Sequence, residues 1–590
     1  MIGYVLLAFI YSFNTPPFEA PDEYYHFAVI AYVARTGALP SDDQPQDQPW
    51  RQMVYHAPLY YLLSAGIAAP FDTSDFPSGY PLNPHAQIGV ALASNNLNFV
   101  EHVNDWEGAA LAVRAVRCFS IVLGAVTLIS IYALARAVLP DKQEVALLAV
   151  LIVMLNPQFL YISGVVSNDN AVTAFATLSL AMLVSIMRRR PTARRVLALA
   201  VVMALAALSK ASGMTIYALA FPVLLWLWFC RRISWQRVLL YSAAIVLAWA
   251  LIAGWWYGRN LMLYGEFSAA RMVAEATSLR STIPDVIGEL RGLYFSFWGL
   301  FGWFNISAPL AFYHWTLLLL GFIVVGVLYG IVRSKARAED RAVFAVLSLY
   351  GVIFIAAWWQ FNQMVQAAQG RLWFPLLGVL ALGSAWGLSK LPSRTPVLVL
   401  LFGIGLGTVS FPFTLLVPAY TPSPQIPVTE WQPPAAAVAM RFQEPWSTDE
   451  CLILWAVPPE WDHTPDSPIN IRLYWQSLCR MTGYWSVFAH FVDTELDQCT
   501  PGDNRHVLAQ VDTMPEGGRL PFPAFRPGGV VRDTISLYPP ANIDLTREWH
   551  VQIGLYDAGG TFMRAFVSGT NDNNITVGKC APESIVLRLP

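Results

Sequence analysis

The chain has 590 residues, 55% of them hydrophobic and only 13% charged, with a mean hydropathy of +0.45. Soluble proteins carry about 25% charged residues, so an ordinary soluble enzyme is excluded, and the apolar content excludes a disordered chain. The net charge of −2 divides into two unlike parts: residues 1–420 hold 26 Lys/Arg against 20 Asp/Glu, and residues 421–590 hold 11 against 19.

A membrane-crossing helix takes roughly 20 mostly apolar residues. Eleven such stretches are predicted, at 2–14, 111–139, 145–166, 171–187, 195–209, 214–230, 238–257, 312–332, 341–358, 372–388 and 395–416. The first opens almost at Met1 without a basic flank, and no small-residue cleavage site follows it. It is read as a span, with the completeness of the start left open. Loop charges set the orientation. Arg188, Arg189, Arg190, Arg194 and Arg195 fill one loop, and Arg231, Arg232 and Arg237 another. Arg333, Lys335, Arg337 and Arg341 fill a third, and Lys390 and Arg394 a fourth. This basic set is expected in the cytoplasm. The N-terminus is then cytoplasmic, while residues 15–110, 258–311 and everything beyond 416 are extracytoplasmic.

The first outer loop, 15–110, carries 11 Asp/Glu against only Arg35 and Arg51. It opens with Glu19-Ala-Pro-Asp-Glu-Tyr-Tyr-His26. Pro21 suits the first position of a helix, and Asp22, Glu23 and His26 then share one face. A lipid-shielded carboxylate at this surface can take a proton from an acceptor hydroxyl or amine. The alternative is structural: acids in a first helical turn complement the macrodipole. His56, in a Pro-containing turn beside Tyr60 and Tyr61, could orient a sugar or serve packing.

Asn168 and Asp169 stand at the outer end between the third and fourth spans, where they could line a site or cap a helix. Lys210, Arg259 and Arg371 end three spans on the outer side, against the charge trend of the other loops. A lipid phosphate at that depth would account for them, Lys as a point charge and Arg as a fork. Snorkelling to headgroups is the rival account. Glu266, in the second outer loop, is either a second acid of the site or a solvated carboxylate. His26, His56, Asp22 and Glu23 include metal-ligand types, but no Asp-x-Asp motif follows the first span. No cofactor is therefore predicted, and a divalent metal is left open.

In order along the chain, the motifs are Pro21-Asp-Glu-Tyr-Tyr-His26, Tyr55-His-Ala-Pro-Leu-Tyr-Tyr61, Ser167-Asn-Asp-Asn170 and Leu208-Ser-Lys-Ala-Ser-Gly213. Trp255-Trp-Tyr-Gly-Arg-Asn260 with Tyr264-Gly-Glu266, and Gln369-Gly-Arg-Leu-Trp-Phe-Pro375, complete the set. With these, most of residues 1–390 resembles the GT-C glycosyltransferases, among them protein O-mannosyltransferases and aminoarabinose lipid A transferases. The resemblance implies sugar transfer from a polyprenyl-phosphate donor to an extracytoplasmic acceptor, with inversion. Asp22 would be the general base and Glu23 its orienting neighbour. Arg371, with Arg259 and Lys210, would hold the donor phosphate. His26, His56, Tyr61, Asn168, Asp169, Asn260, Glu266 and Gln369 would bind substrate. The resemblance to bacterial members implies the cell (inner) membrane. The rival reading is a non-catalytic lipid-linked glycan transporter or envelope-assembly scaffold. A transporter should carry polar residues along the middle of its spans; here the charges gather at the ends.

Residues 417–440, rich in Pro, read as a stiff linker. Beyond it the period becomes 2. Ile469, Ile471, Leu473 and Trp475 alternate with polar residues, as do Trp549, Val551, Ile553 and Leu555. With Pro-Gly and Gly-Gly turn signals between the strands, residues 441–590 read as an antiparallel β-sandwich. Trp446, Trp461 and Trp485 are core residues or sugar-stacking platforms. Cys451, Cys479, Cys499 and Cys580 suggest two disulfides outside the cytoplasm, without fixing the pairing; a zinc site is the alternative. The partners expected are thus the lipid bilayer, a polyprenyl-phosphate-linked sugar and an unidentified extracytoplasmic acceptor. Nucleic acid is not expected, since neither half has a strongly basic balance.

Overall fold

The computed structural model describes the chain except residues 41–47, 87–88, 90–105, 190, 334–337, 445, 448, 462–466, 494–506, 541–542, 544–548, 558–563, 568–574, 578–583 and 589–590. The chain forms two compact units. One comprises Met1–Gly79 and Asp105–Pro418; the other joins the described part of 80–104 to Ala419–Pro590. Residues 15–110, expected as the first outer loop, are thus divided between the units. In the second unit His85 Nε2 lies 2.8 Å from Ser486 Oγ, a placement that loop length alone does not reveal.

The first unit is helical. Its elements are α1 (Ile2–Phe13), α2 (Glu23–Thr36), α3 (Leu59–Ala68), α4 (Gly108–Val138), α5 (Gln143–Met154), α6 (Pro157–Ser163), α7 (Asp169–Arg188), α8 (Ala193–Ser209), α9 (Tyr217–Phe229) and α10 (Trp235–Trp249). They continue as α11 (Trp255–Tyr264), α12 (Ala270–Thr277), α13 (Val286–Trp298), α14 (Leu310–Arg333), α15 (Ala338–Asn362), α16 (Leu377–Leu388) and α17 (Thr395–Phe411).

Every predicted span contains helix. Among the described residues eight helical runs are long and apolar enough to cross a membrane, nine if α5 and α6 count together. Those two helices were expected as one straight span, 145–166, but meet at 71°. Asn156 explains the break: its side chain accepts the Phe159 N–H at 2.9 Å, and Pro157 follows at the first position of the new helix. A cap of this kind ends one helix and starts another. Helix α1, of 12 residues, and α8, of 17, are shorter than the eight long runs, the shortest of which has 19 residues. Gly124 lets α1 dock against α4: a Cβ there would collide with the Tyr4 hydroxyl, which donates to the Ile121 carbonyl at 3.0 Å.

The second unit contains two antiparallel sheets. In one, the order is Ile575–Val577, Ser584–Arg588, Trp549–Tyr556, Ser486–Asp493 and Val507–Thr513. In the other, it is Arg564–Val567, Val438–Gln443, Glu450–Glu460, Ile469–Ser477, Gly529–Leu537 and Ile426–Pro427. The period-2 residues point inward as expected: Ile469, Ile471, Leu473 and Trp475 share a buried core with Trp549, Val551, Ile553 and Leu555 of the other sheet.

The Pro-rich stretch is more than a linker. Ile426 and Pro427 pair with Val530 and Gly529, and Val438 already lies in the sheet opposite Ala456. Pro427 is tolerated because it lies on an edge strand, where a missing N–H costs nothing to the ladder. Trp461 and Trp485 are core residues. Trp446 is 60% exposed and stacks on Trp485 at 5.4 Å.

Cys451 and Cys479 form a disulfide. Cys499 and Cys580 lie outside the described residues. The bond closes a loop with a sequence separation of 28, for which chain entropy gives about 3.5 kcal/mol. Cys479→Ser is expected to lower the stability of this unit by about that amount, read as a drop in its denaturant midpoint. Unchanged unfolding with and without reductant would contradict it.

Candidate active site

The site begins at the turn after α1. Asp22 precedes α2 with φ 63°, in the left-handed region. A non-glycine residue there costs energy that the surroundings must offset, although Asp tolerates it better than most. The offset comes from two buried arginines. Arg371 donates to the Asp22 carboxylate and, at 3.1 Å, to the Pro21 carbonyl. Its Nε and Nη2 donate to Gln369 Oε1 at 3.0 and 2.9 Å. Arg117 holds the other side. It donates to both Glu23 oxygens, at 2.8 and 2.5 Å. It also donates to the carbonyls of Ser12, Thr15 and Pro16 at 2.7–2.9 Å.

The adjacent carboxylates therefore have different fates. Glu23 is fully buried. Besides Arg117, it accepts the backbone N–H groups of Phe18 (2.9 Å) and Val166 (2.8 Å). It ties the turn after α1 to the segment before α7 and has no face turned to a substrate. Asp22 keeps 22% of its side chain accessible. Burial alone would raise its carboxyl, but the Arg371 guanidinium, with His26 and Lys210, outweighs that and holds it below the usual carboxylate range. Asp22 is thus an ionised, oriented, partly open acceptor at neutral pH.

Asp169, the first residue of α7, is nearly buried. It receives Lys210 Nζ at 2.5 Å and lies 3.8 Å from Arg371 Nη1. The motifs after spans one, three, five and nine thereby converge: Asp22–Arg371–Asp169–Lys210 forms one alternating row of charges. His56 Nδ1 accepts from Asn168 Nδ2 at 3.3 Å. The Tyr61 hydroxyl lies 2.9 Å from His26 Nδ1 and 3.5 Å from His56 Nδ1. Burial pushes His26 down to about 4 and His56 to about 3, so both are neutral at pH 7.

These histidines give a pH signature. In the unfolded chain each titrates near 6.5, so below that pH the unfolded state binds more protons than the folded one. Their contribution to stability is complete above about 6.5 and is lost as pH falls toward 4. The melting temperature is expected to drop steeply between pH 6.5 and 4, and less so in His26→Gln. A midpoint independent of pH over that window would contradict their burial as neutral rings.

Beside this row lies a cavity of about 330 Å³. Its polar end is His56, Asp169, Lys210, Ser212 and Thr215. Apolar walls come from α11 (Trp256, Tyr257), α12 (Val273) and α15 (Phe354, Trp358, Phe361). Of Lys210, Arg259 and Arg371, Lys210 alone is among its lining residues. Arg371, expected at a donor phosphate, instead directs its N–H groups at Asp22, Pro21 and Gln369. Arg259 lies over the rings of Trp256 (5.0 Å) and Tyr264 (5.7 Å) and donates to the Tyr264 hydroxyl at 3.1 Å.

Glu266 is not among the cavity residues. Its carboxylate accepts the Arg271 N–H at 3.0 Å, in the first turn of α12. The buried acid of residues 258–311 is Glu289, which Arg280 and Asn362 hold at 2.7 and 3.0 Å. Asn168 Oδ1 and Asn260 Nδ2 are buried without a hydrogen-bond partner among the described residues. Among those residues, no three His, Cys, Asp or Glu side chains converge as a metal-binding group.

Residues 74–263 match the family model described as dolichyl-phosphate-mannose-protein mannosyltransferase. This stretch holds Asn168, Asp169, Lys210, Arg259 and Asn260, but not Asp22, His56 or Arg371. No curated protein matches the chain. Among solved structures, it is similar to ArnT from Cupriavidus metallidurans bound to undecaprenyl phosphate: 14% identity, TM-score 0.42, covering 68% of this chain and 61% of that one. It is also similar to the archaeal oligosaccharyltransferase AglB from Archaeoglobus fulgidus in complex with an inhibitory peptide and a dolichol-phosphate. There the identity is 13% and the TM-score 0.39, covering 70% of this chain and 55% of that one. The chain thus spans under two thirds of the length of either solved structure.

Proposed function

We propose that this protein is a membrane glycosyltransferase that moves a sugar from a polyprenyl-phosphate donor to an extracytoplasmic acceptor. The observation that carries the reading is the juxtaposition of an amphipathic cavity with an open carboxylate. The cavity offers apolar walls for a lipid and Lys210 at its polar end for a phosphate. Asp22 stands at the far end of the same row, beyond Asp169 and Arg371. The match of residues 74–263 to a mannosyltransferase family that uses a dolichyl-phosphate sugar supports it.

In the proposed reaction the acceptor hydroxyl or amine attacks the anomeric carbon from the side opposite the phosphate. The new bond to that carbon forms as the carbon–oxygen bond to the lipid phosphate breaks, and the configuration inverts. The acceptor proton passes to the Asp22 carboxylate. The electron pair of the broken bond leaves on the phosphate, where Lys210 offsets the charge. Phosphate is a good leaving group, so positioning and charge neutralisation supply most of the rate. Arg371 acts through Asp22 as a positioning residue, with Gln369 holding its guanidinium in plane.

Lys210→Gln tests the donor assignment. A hydrogen bond to a charged group contributes about 1.5–3 kcal/mol, so polyprenyl phosphate should bind the purified variant about 10- to 100-fold more weakly. Wild-type affinity for the lipid phosphate would remove Lys210 from that role.

A further inference from the structure

We infer that the end of the helical unit remote from Asp169 carries a binding site for an anionic phospholipid. Helix α7 runs from Asp169 to Arg188, 20 residues, or about 30 Å. At its far end a cleft of about 520 Å³ opens between α4, α7 and α8. Four arginines line it: Arg136 from the last turn of α4, Arg188 and Arg189 from the end of α7, and Arg195 from the first turn of α8.

No acidic residue is among the residues that line the cleft. Arg188 is offset from outside it, by Asp340 at 2.6 Å, and donates to the Val138 carbonyl at 2.9 Å. Glu339 stands 4.0 Å from the same guanidinium and is shared with Arg232, so the lining itself, four guanidiniums and no carboxylate, is net positive. The remaining wall is apolar and belongs to the spans themselves, with Ala133 of α4 and Leu178 and Met182 of α7.

Basic residues at the ends of spans have an ordinary account in membrane orientation and helix dipoles. That account explains why arginines are present, but not why four from three helices border one cleft with a hydrocarbon-compatible wall. A phosphate group matches the guanidinium forks. The apolar wall matches an acyl chain, which a soluble anion lacks. A basic pocket between spanning helices is the arrangement that holds anionic headgroups. A zwitterionic lipid would bring a phosphate but also a cation that the arginines repel.

The test uses the full chain purified in phosphatidylcholine-containing micelles, with retained lipid counted by native mass spectrometry after adding cardiolipin. Wild type should retain cardiolipin in preference to phosphatidylcholine. Arg136→Gln with Arg195→Gln should lower retention roughly 30-fold, since each such cation contributes roughly 1 kcal/mol. The corresponding pair of lysine variants, which keeps the charge and guards against a folding defect, should retain more than the glutamine pair. Arg231→Gln with Arg237→Gln, in a different basic loop, should retain as much as wild type. The proposal is overturned if the Arg136/Arg195 glutamine pair retains cardiolipin like wild type. It is equally overturned if the 231/237 pair loses it to the same degree, or if inorganic pyrophosphate at equal concentration displaces it.

Discussion

Asp22→Asn is expected to lower turnover about 10²- to 10⁴-fold, the range a positioned general base contributes, while leaving lipid-phosphate binding close to wild type. The substitution suits the geometry. Asn can still accept a hydrogen bond from Arg371, so the turn before α2 and the guanidinium keep their places. What is lost is the charge and the ability to take a proton. Asp22 keeps 22% of its side chain accessible, whereas Glu23 is fully buried; of the two neighbours only Asp22 can meet an acceptor. The pH profile adds a second readout. The working form of a base is the ionised one, so activity is present above its pKa and lost as pH falls through it. Arg371 holds Asp22 below the ordinary carboxylate value of about 3.9, and the acid limb attributable to Asp22 should lie below that value. Turnover of Asp22→Asn near wild type would remove Asp22 as the base.

Glu23→Ala is expected to damage folding rather than chemistry, by about 3–5 kcal/mol, the cost of removing one partner of a buried pair. Arg117 would be left charged with 1% of its side chain exposed. Its remaining partners, the carbonyls of Ser12, Thr15 and Pro16, satisfy its hydrogen bonds but not its charge. The N–H groups of Phe18 and Val166 would lose their acceptor inside a dry site, each a further penalty. Detergent-purified Glu23→Ala should therefore show a much reduced yield of folded protein and a lower melting temperature. Glu23→Gln, which keeps an acceptor without the charge, should fall between the two. A Glu23→Ala protein that melts like wild type but is inactive would show that Glu23 acts in catalysis instead.

Much of the frame was legible in the sequence because lipid and sheet impose simple periods. Each of the eleven apolar stretches contains helix, and the alternating residues of the tail are buried as predicted. The convergence of Asp22, Asp169, Lys210 and Arg371 could be anticipated only as four separate motifs at the same membrane face. Their partners could not be read, because a salt bridge such as Glu23–Arg117, 94 residues apart, leaves no local pattern. Arg117 was missed for that reason: within a long apolar stretch a lone arginine gives no sign of which chain segment it holds, although its depth in a span marks it as expensive and therefore worth a role. Likewise α15 read as one more span, and nothing in its composition marked Phe354, Trp358 and Phe361 as cavity wall. Glu266 and Glu289 lie in the same stretch between predicted spans with the same chemistry; packing alone makes one a helix-end acceptor and the other a buried anchor.

The central claim is most directly tested by mass spectrometry of envelope glycans, glycolipids and glycoproteins from cells producing the wild-type chain or Asp22→Asn at equal level. The account predicts that in the Asp22→Asn cells one glycan species is replaced by a form lighter by the mass of a single sugar residue, while polyprenyl-phosphate-linked sugar accumulates. Identical spectra, with no build-up of the lipid-linked sugar, would contradict it.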